Sequence, residues 1–117
     1  KLDKLHDVAG EITADGGRAS FHACDIRQEA AVQDVVQAIM VAHGRIDVLV
    51  NNAGGQYIMP LEGISAKGWD AVIRNNLTGG FLMSREVFNR WMRDHGGAIV
   101  NIIADIWGGM PTMAHSG

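Results

Sequence analysis

The stretch Val48-Leu49-Val50-Asn51-Asn52-Ala53-Gly54 constrains the fold more than any other part of this chain. With Ile46 just upstream, its apolar part is too short for a helix and is flanked by charge and glycine. That is the pattern of a strand buried on both faces of a parallel sheet. Two amides and a glycine then fall where the strand leaves the sheet, the rim at which open α/β sheets bind their ligands.

Periodicity on either side predicts helices alternating with strands. Leu2, Leu5, Val8 or Ala9, and Ile12 form one apolar helix face, which Asp15-Gly16-Gly17 ends. Ala19–Cys24 suits a short strand. Val32, Val35, Val36, Ile39 and Met40 mark a second helix, closed by His43-Gly44. Ser65 is placed to cap a long helix whose stripe runs through Trp69, Val72, Ile73, Leu77, Phe81, Val87, Phe88, Trp91 and Met92. Gly96-Gly97 ends it, and Ala98–Ile103 is another continuous apolar strand. Strands separated by helices of this length predict right-handed βαβ units and a parallel sheet.

Composition narrows the function. The 117 residues suit one small domain, with a net charge of −3 and no basic stripe for nucleic acid. No apolar stretch approaches a membrane span. Cys24 is alone, which fits a reduced compartment and a small buried hydrophobe. His6, His22, His43 and His95 lack metal-ligand spacing, so no metal site is expected. Lys1–His6 is amphipathic rather than signal-like, and Ala114–Gly117 completes no element; the chain reads as an internal segment.

Four motifs in order carry a family resemblance: Asp25-Ile26, Asn51-Asn52-Ala53-Gly54, Asn76-Leu77-Thr78-Gly79 and Ile99-Val100-Asn101-Ile102. The chain resembles the middle of a short-chain dehydrogenase/reductase along essentially its whole length. Gly54-Gly55-Gln56, Lys67-Gly68-Trp69, His95-Gly96-Gly97 and Asn101-Ile102-Ile103 make it most similar to the trans-2-enoyl-CoA reductases of the peroxisomal type and their bacterial relatives. The resemblance implies an α/β fold, a Rossmann-type doubly wound parallel sheet. Residues 1–117 would be the central part of a single NAD(P)-binding domain. The first two strands and their glycine-rich phosphate turn would lie outside it, so the isolated chain is expected to be unstable or swapped, and inactive.

The same resemblance assigns roles. Asp25 would accept a hydrogen bond from an adenine amino group while Ile26 packs beside the ring; Asp25 alternatively caps the following helix. Asn51, Asn52, Ala53, Gly54 and Ile102 would floor the dinucleotide, with Gly54 leaving its backbone open to close approach. Asn76, an unfavourable residue inside a helix, would distort that helix and hold a proton-relaying water. Gly79 and Gly80 each cost about 1 kcal/mol of helix stability relative to alanine, which close packing would offset. Lys1 lies where basic residues accept a 2′-phosphate, which points to NADP, with NAD as the alternative.

The catalytic loop departs from the family pattern. Where most members carry a serine, two residues beyond Ile102, this chain has Ala104, which cannot donate a hydrogen bond. The usual tyrosine and lysine fall at or beyond Gly117. Thr112, His115 and Ser116 are the candidate donors to a substrate oxygen, Trp107 lies in the loop that would cover the substrate, and Met59, Met110 and Met113 are candidates for an acyl pocket. The function expected is NAD(P)H-dependent reduction of a trans-2-enoyl thioester. The alternatives are a keto- or hydroxy-group dehydrogenase and a catalytically silent dinucleotide-binding or assembly protein. A small-molecule substrate, a homo-oligomer pairing through the Phe81, Phe88 and Trp91 helix, and a cytoplasmic location (peroxisomal in a eukaryote) complete the expectation.

Overall fold

The computed structural model describes residues 2–105, 108–109 and 112–115. Helix α1 (Leu2–Ala14) and helix α2 (Glu29–His43) precede strand β1 (Val48–Asn51). A single 3₁₀ turn, Leu61–Gly63, leads to a long helical run of five consecutive pieces. These are α3 (Ala66–Ile73), a π turn (Arg74–Thr78), α4 (Gly79–Val87), a second π turn (Phe88–Met92) and α5 (Arg93–His95). Strand β2 (Ala98–Asn101) then pairs parallel to β1, with Val48 opposite Ala98 and Asn51 opposite Asn101. Strand, long helix and parallel strand make one βαβ unit, as the alternation predicts.

The ends of these elements follow local chemistry. Ser65 Oγ accepts the Gly68 N–H at 3.1 Å, so the expected N-cap of α3 is formed. Gly44 closes α2 in the left-handed region, its N–H donating to the Met40 carbonyl at 2.9 Å. The ladder extends past both strands, from Ala98 N–H to the Asp47 carbonyl and from Ile102 N–H to the Asn51 carbonyl, each 3.0 Å.

The core lies between α2, α4 and one face of the sheet. Val32, Val36, Leu82, Val87 and Met92 are buried there, with Ile26, Ile46, Leu49 and Met83 packed around them. Each fully buried valine contributes about 1.5–3 kcal/mol of transfer free energy. Gly79 lets α4 reach this core: a Cβ at that position would meet Ile26 Cδ1 at 2.5 Å. The close packing expected to offset the glycine is therefore observed at Gly79. Glu86, buried on the same helix, receives Arg90 Nε at 2.6 Å, and Arg90 also donates to Gln37 of α2 at 2.7 Å.

Two expectations fail. Ala19–Cys24 forms no strand, because no described segment lies alongside to complete a ladder, and a strand exists only through its neighbour's hydrogen bonds. Nor is β1 buried on both faces. Leu49 and Asn51 turn toward the helices, whereas Val48 and Val50 remain 56% and 54% exposed. Ile99 and Val100 of β2 are exposed too, as is the apolar face of α1 through Leu2, Leu5, Val8 and Ile12. No described element seals these surfaces from solvent.

So much open apolar strand surface predicts association. In sedimentation-velocity runs the isolated 117-residue chain is expected as a dimer, as larger species, or as an expanded unfolded monomer. A compact monomer with a cooperative melt would contradict this.

Candidate functional site

The site is built where β1 and β2 end. Past Asn51 the chain leaves the sheet through Asn52, Ala53 and Gly54, while β2 leaves through Ile102, Ile103 and Ala104. A cleft of about 670 Å³ opens between these exits and the long helix. Of the residues singled out from the sequence, Ile26, Asn51, Asn52, Ala53, Gly54, Asn76, Ile102 and His115 all line it. Asp25 and Thr112 do not line it, and Ser116, Trp107, Met110 and Lys1 lie outside the described residues. Met59 and Met113 are also absent from its walls; Met113 is buried, and Met83 is the methionine that reaches the cleft.

Asn76 organises the rim. Its Nδ2 donates to the Gly55 carbonyl at 2.8 Å and to the Val72 carbonyl at 2.9 Å, and its Oδ1 accepts the Gly55 N–H at 3.0 Å. It sits inside the π turn, where the Gly79 N–H reaches back to the Arg74 carbonyl. The helix is thus distorted where the resemblance implied. Gly54 is required for this contact, since a Cβ there would fall 2.3 Å from Asn76 Oδ1.

Asn51 is fastened differently. Its Nδ2 donates to Ser84 Oγ at 3.0 Å and to Asn101 Oδ1 at 2.9 Å, tying β1 to α4 and β2. Its amide is therefore committed within the sheet, while Asn52 is left exposed at the rim. Ser84 escaped the sequence reading, and Asn101 entered it only as part of a motif, without this pairing; the only signal for Ser84 was a hydroxyl on the core-facing side of an apolar stripe.

Asp25 does not cap α2, whose first residue is Glu29 with Gln28 before it. Its carboxylate instead takes the Arg27 guanidinium at 2.8 Å on both oxygens and the Arg27 N–H at 3.1 Å. Those hydrogen bonds, helped by the guanidinium charge, bring its pKa from 3.8 to about 2 against a small opposing desolvation. The group is therefore ionised at neutral pH and keeps acceptor capacity beyond these three bonds. Nearby, burial and the Asp25 charge push the Cys24 thiol up, and its Sγ donates to the Ala31 carbonyl, so Cys24 is no ready nucleophile.

The second wall comes from segment 112–115. The Met59 N–H donates to the Thr112 carbonyl at 2.8 Å, which joins this segment to the loop after β1. His115 is buried against Tyr57, ring centroids 4.8 Å apart. Tyr57, the single tyrosine, was another residue missed from sequence; its hydroxyl sits over Gly68 at the start of α3. Apolar walls, a few convergent amides and bare backbone at the carboxyl ends of parallel strands suit a nucleotide-sized ligand. The residues present fit the nicotinamide dinucleotide that the resemblance implies. No helix among the described residues is long and apolar enough to cross a membrane, and no cluster of metal ligands occurs among them.

Gly54→Ala in the intact protein is expected to cost about 1–3 kcal/mol by forcing the fastened Asn76 amide to move. In an Asn76→Ala background the cost is expected to shrink, and equal costs in both backgrounds would contradict the contact. The Asp25 carboxylate is expected to titrate at about 2, and in Arg27→Gln to return toward 3.8, read by carboxyl-carbon NMR. A depressed carboxylate pKa means the pairing is fully present above 3.8 and is lost as pH falls through about 2. An unchanged midpoint in the variant would disprove the assignment.

The family model for short chain dehydrogenases matches residues 1–114. The peroxisomal 2,4-dienoyl-CoA reductase [(3E)-enoyl-CoA-producing] of Danio rerio is 32% identical, covering 99% of this chain and 39% of that protein. D-threitol dehydrogenase of Mycolicibacterium smegmatis is 40% identical over 81% of this chain and 36% of its own length. The chain thus spans well under half of these relatives. Among solved structures, the citronellol catabolism dehydrogenase of Pseudomonas aeruginosa PAO1 superposes with TM-score 0.93 at 56% identity, over 99% of this chain and 47% of that one. A metagenomic short-chain oxidoreductase in complex with NADP gives 0.91 at 35% identity, over 98% of this chain and 53% of that one. NAD+-bound xylitol dehydrogenase gives 0.92 at 28% identity, over 100% of this chain and 46% of that one. The helices and parallel strands are those of a Rossmann-type sheet, and the chain belongs to the short chain dehydrogenase family.

Proposed function

We propose that the intact protein is an NADP(H)-dependent oxidoreductase that reduces trans-2-enoyl thioesters. The observation that carries the reading is Ala104. It lines the cleft just past β2, where a dehydrogenase of the common type needs a hydroxyl to hold its alcohol or ketone oxygen. A methyl there leaves a site suited to a substrate whose reacting carbon lies away from its oxygen. A reduced nicotinamide bound in the cleft supplies the hydride that such a substrate takes at its β-carbon.

The chain's own residues do the rest. Asn52, Ala53, Gly54 and Ile102 form the floor of the dinucleotide site, with Ile26 and the ionised Asp25 toward its adenine end. Asn51 braces that floor from within the sheet. Asn76 keeps the rim rigid and places a side-chain amide beside any water that relays protons. Thr112 and Ser116 are further candidate donors. The metagenomic relative solved with NADP supports the coenzyme choice, and the NAD+-bound one keeps NAD as the alternative.

A second reading, a hydroxyl-group dehydrogenase, is favoured by the names of the citronellol and threitol relatives. A second copy of the chain is proposed to cover the exposed Phe81 and Phe88 of the long helix. The compartment proposed is cytoplasmic, or peroxisomal as in the Danio rerio relative.

Loss of NADPH absorbance with the intact protein separates the readings. Crotonyl thioester is expected to exceed a keto-ester in kcat/KM by at least about tenfold, a discrimination of about 1.4 kcal/mol. Oxidation of acyclic alcohols with NADP+ in the absence of enoyl reduction would overturn the proposal in favour of the second reading.

A further inference from the structure

Among the described residues, His115 is the buried side chain in the cleft whose polar atoms find no partner. It is 3% exposed, and neither Nδ1 nor Nε2 makes a hydrogen bond to any described residue. Buried polar groups in folded proteins are almost always satisfied, and leaving both nitrogens of an imidazole bare is costly. The ring is nonetheless firmly seated. It packs against Tyr57 at 4.8 Å with the planes tilted by 51°, and the Met59 N–H fastens its segment through the Thr112 carbonyl at 2.8 Å. It lines the same cleft as Asn52, Gly54 and Ala104.

We infer that His115 holds the carbonyl oxygen of the substrate, supplying the donor that Ala104 lacks. A neutral imidazole always carries one N–H, whichever tautomer is present. Set rigidly in a cavity with apolar walls, that N–H is oriented before the substrate arrives. Its bond strengthens as negative charge gathers on the oxygen of the developing enolate. Seating against the Tyr57 ring leaves both imidazole nitrogens without a competing bond among the described residues. The inference rests on the enoyl-thioester reading for the identity of the oxygen, but not for the presence of a donor.

The test uses the intact protein and the variants His115→Phe, His115→Met and His115→Gln. Without ligand, an imidazole kept for a substrate contributes no stabilising bond. At least one of the Phe and Met variants is therefore expected to melt at or above the wild-type temperature. If both melt lower, the ring is satisfied within the protein and the inference falls. Butyryl-CoA, which is already saturated and cannot be reduced, then reports binding. The Phe variant is expected to bind it about tenfold more weakly, with NADP affinity unchanged, and the Gln variant, which keeps an N–H, to recover most of the loss. Equal binding by wild type and the Phe variant overturns the role. If the wild type binds no thioester, the substrate reading fails by itself, and the comparison is made with a secondary ketone. Weaker ketone binding by the Phe variant then sustains His115 as the oxygen donor, and equal binding removes it.

Discussion

The reciprocal hydrogen bonds between the Asn76 amide and the Gly55 backbone are the constraint on which the site depends. They join the middle of the long helix to the loop leaving β1. A third bond, to the Val72 carbonyl, fixes the amide within its own helix. Because the amide is held at three points, the backbone beside it must be glycine, and Gly54 follows from Asn76. The widened helical turn around Asn76 and the bare strand exit are therefore one feature, not two. Asparagine weakens a helix interior, and here its competing hydrogen bonds are what attach the helix to the rim.

Packing and chemistry are separated along the sheet. The side of β1 that carries Leu49 meets α2 and α4 in the core, while Asn51 crosses to Ser84 and Asn101 and stops the strands from sliding in register. Only at the carboxyl ends, beyond these bonds, does the chain open into a cleft. Segment 112–115 closes one wall through the Met59–Thr112 backbone bond and the Tyr57–His115 contact. The cleft thus has a rigid floor set by backbone and amides, and a wall contributed by a loop. This division suits an enzyme whose cofactor-binding part is constant while its substrate-facing part varies.

Much of this was legible in the residues. Helix periodicity, the Ser65 cap, the Gly44 stop and both observed strands followed from local pattern, and so did the rim at Asn51–Gly54. The failures share a cause. Ala19–Cys24 has the composition of a strand, yet strand structure is conferred by a neighbour, and no described strand lies beside it. Burial of Val48 and Val50 was inferred from apolar character alone, but burial depends on what packs against the exposed face. Capping of the following helix was the alternative reading of Asp25, whereas Arg27, two residues on, takes both its oxygens. The seating of His115 against Tyr57 joins residues far apart in sequence, and nothing local announces it.

The central claim is that the exit of β1 is the floor of a nicotinamide dinucleotide site. A crystal structure of the intact protein grown with NADP tests it most directly. The account predicts the nicotinamide half of the molecule in van der Waals contact with the Asn52–Gly54 backbone, with the adenine beside Ile26. A cofactor bound elsewhere, with Asn52 and Gly54 facing solvent, would contradict it.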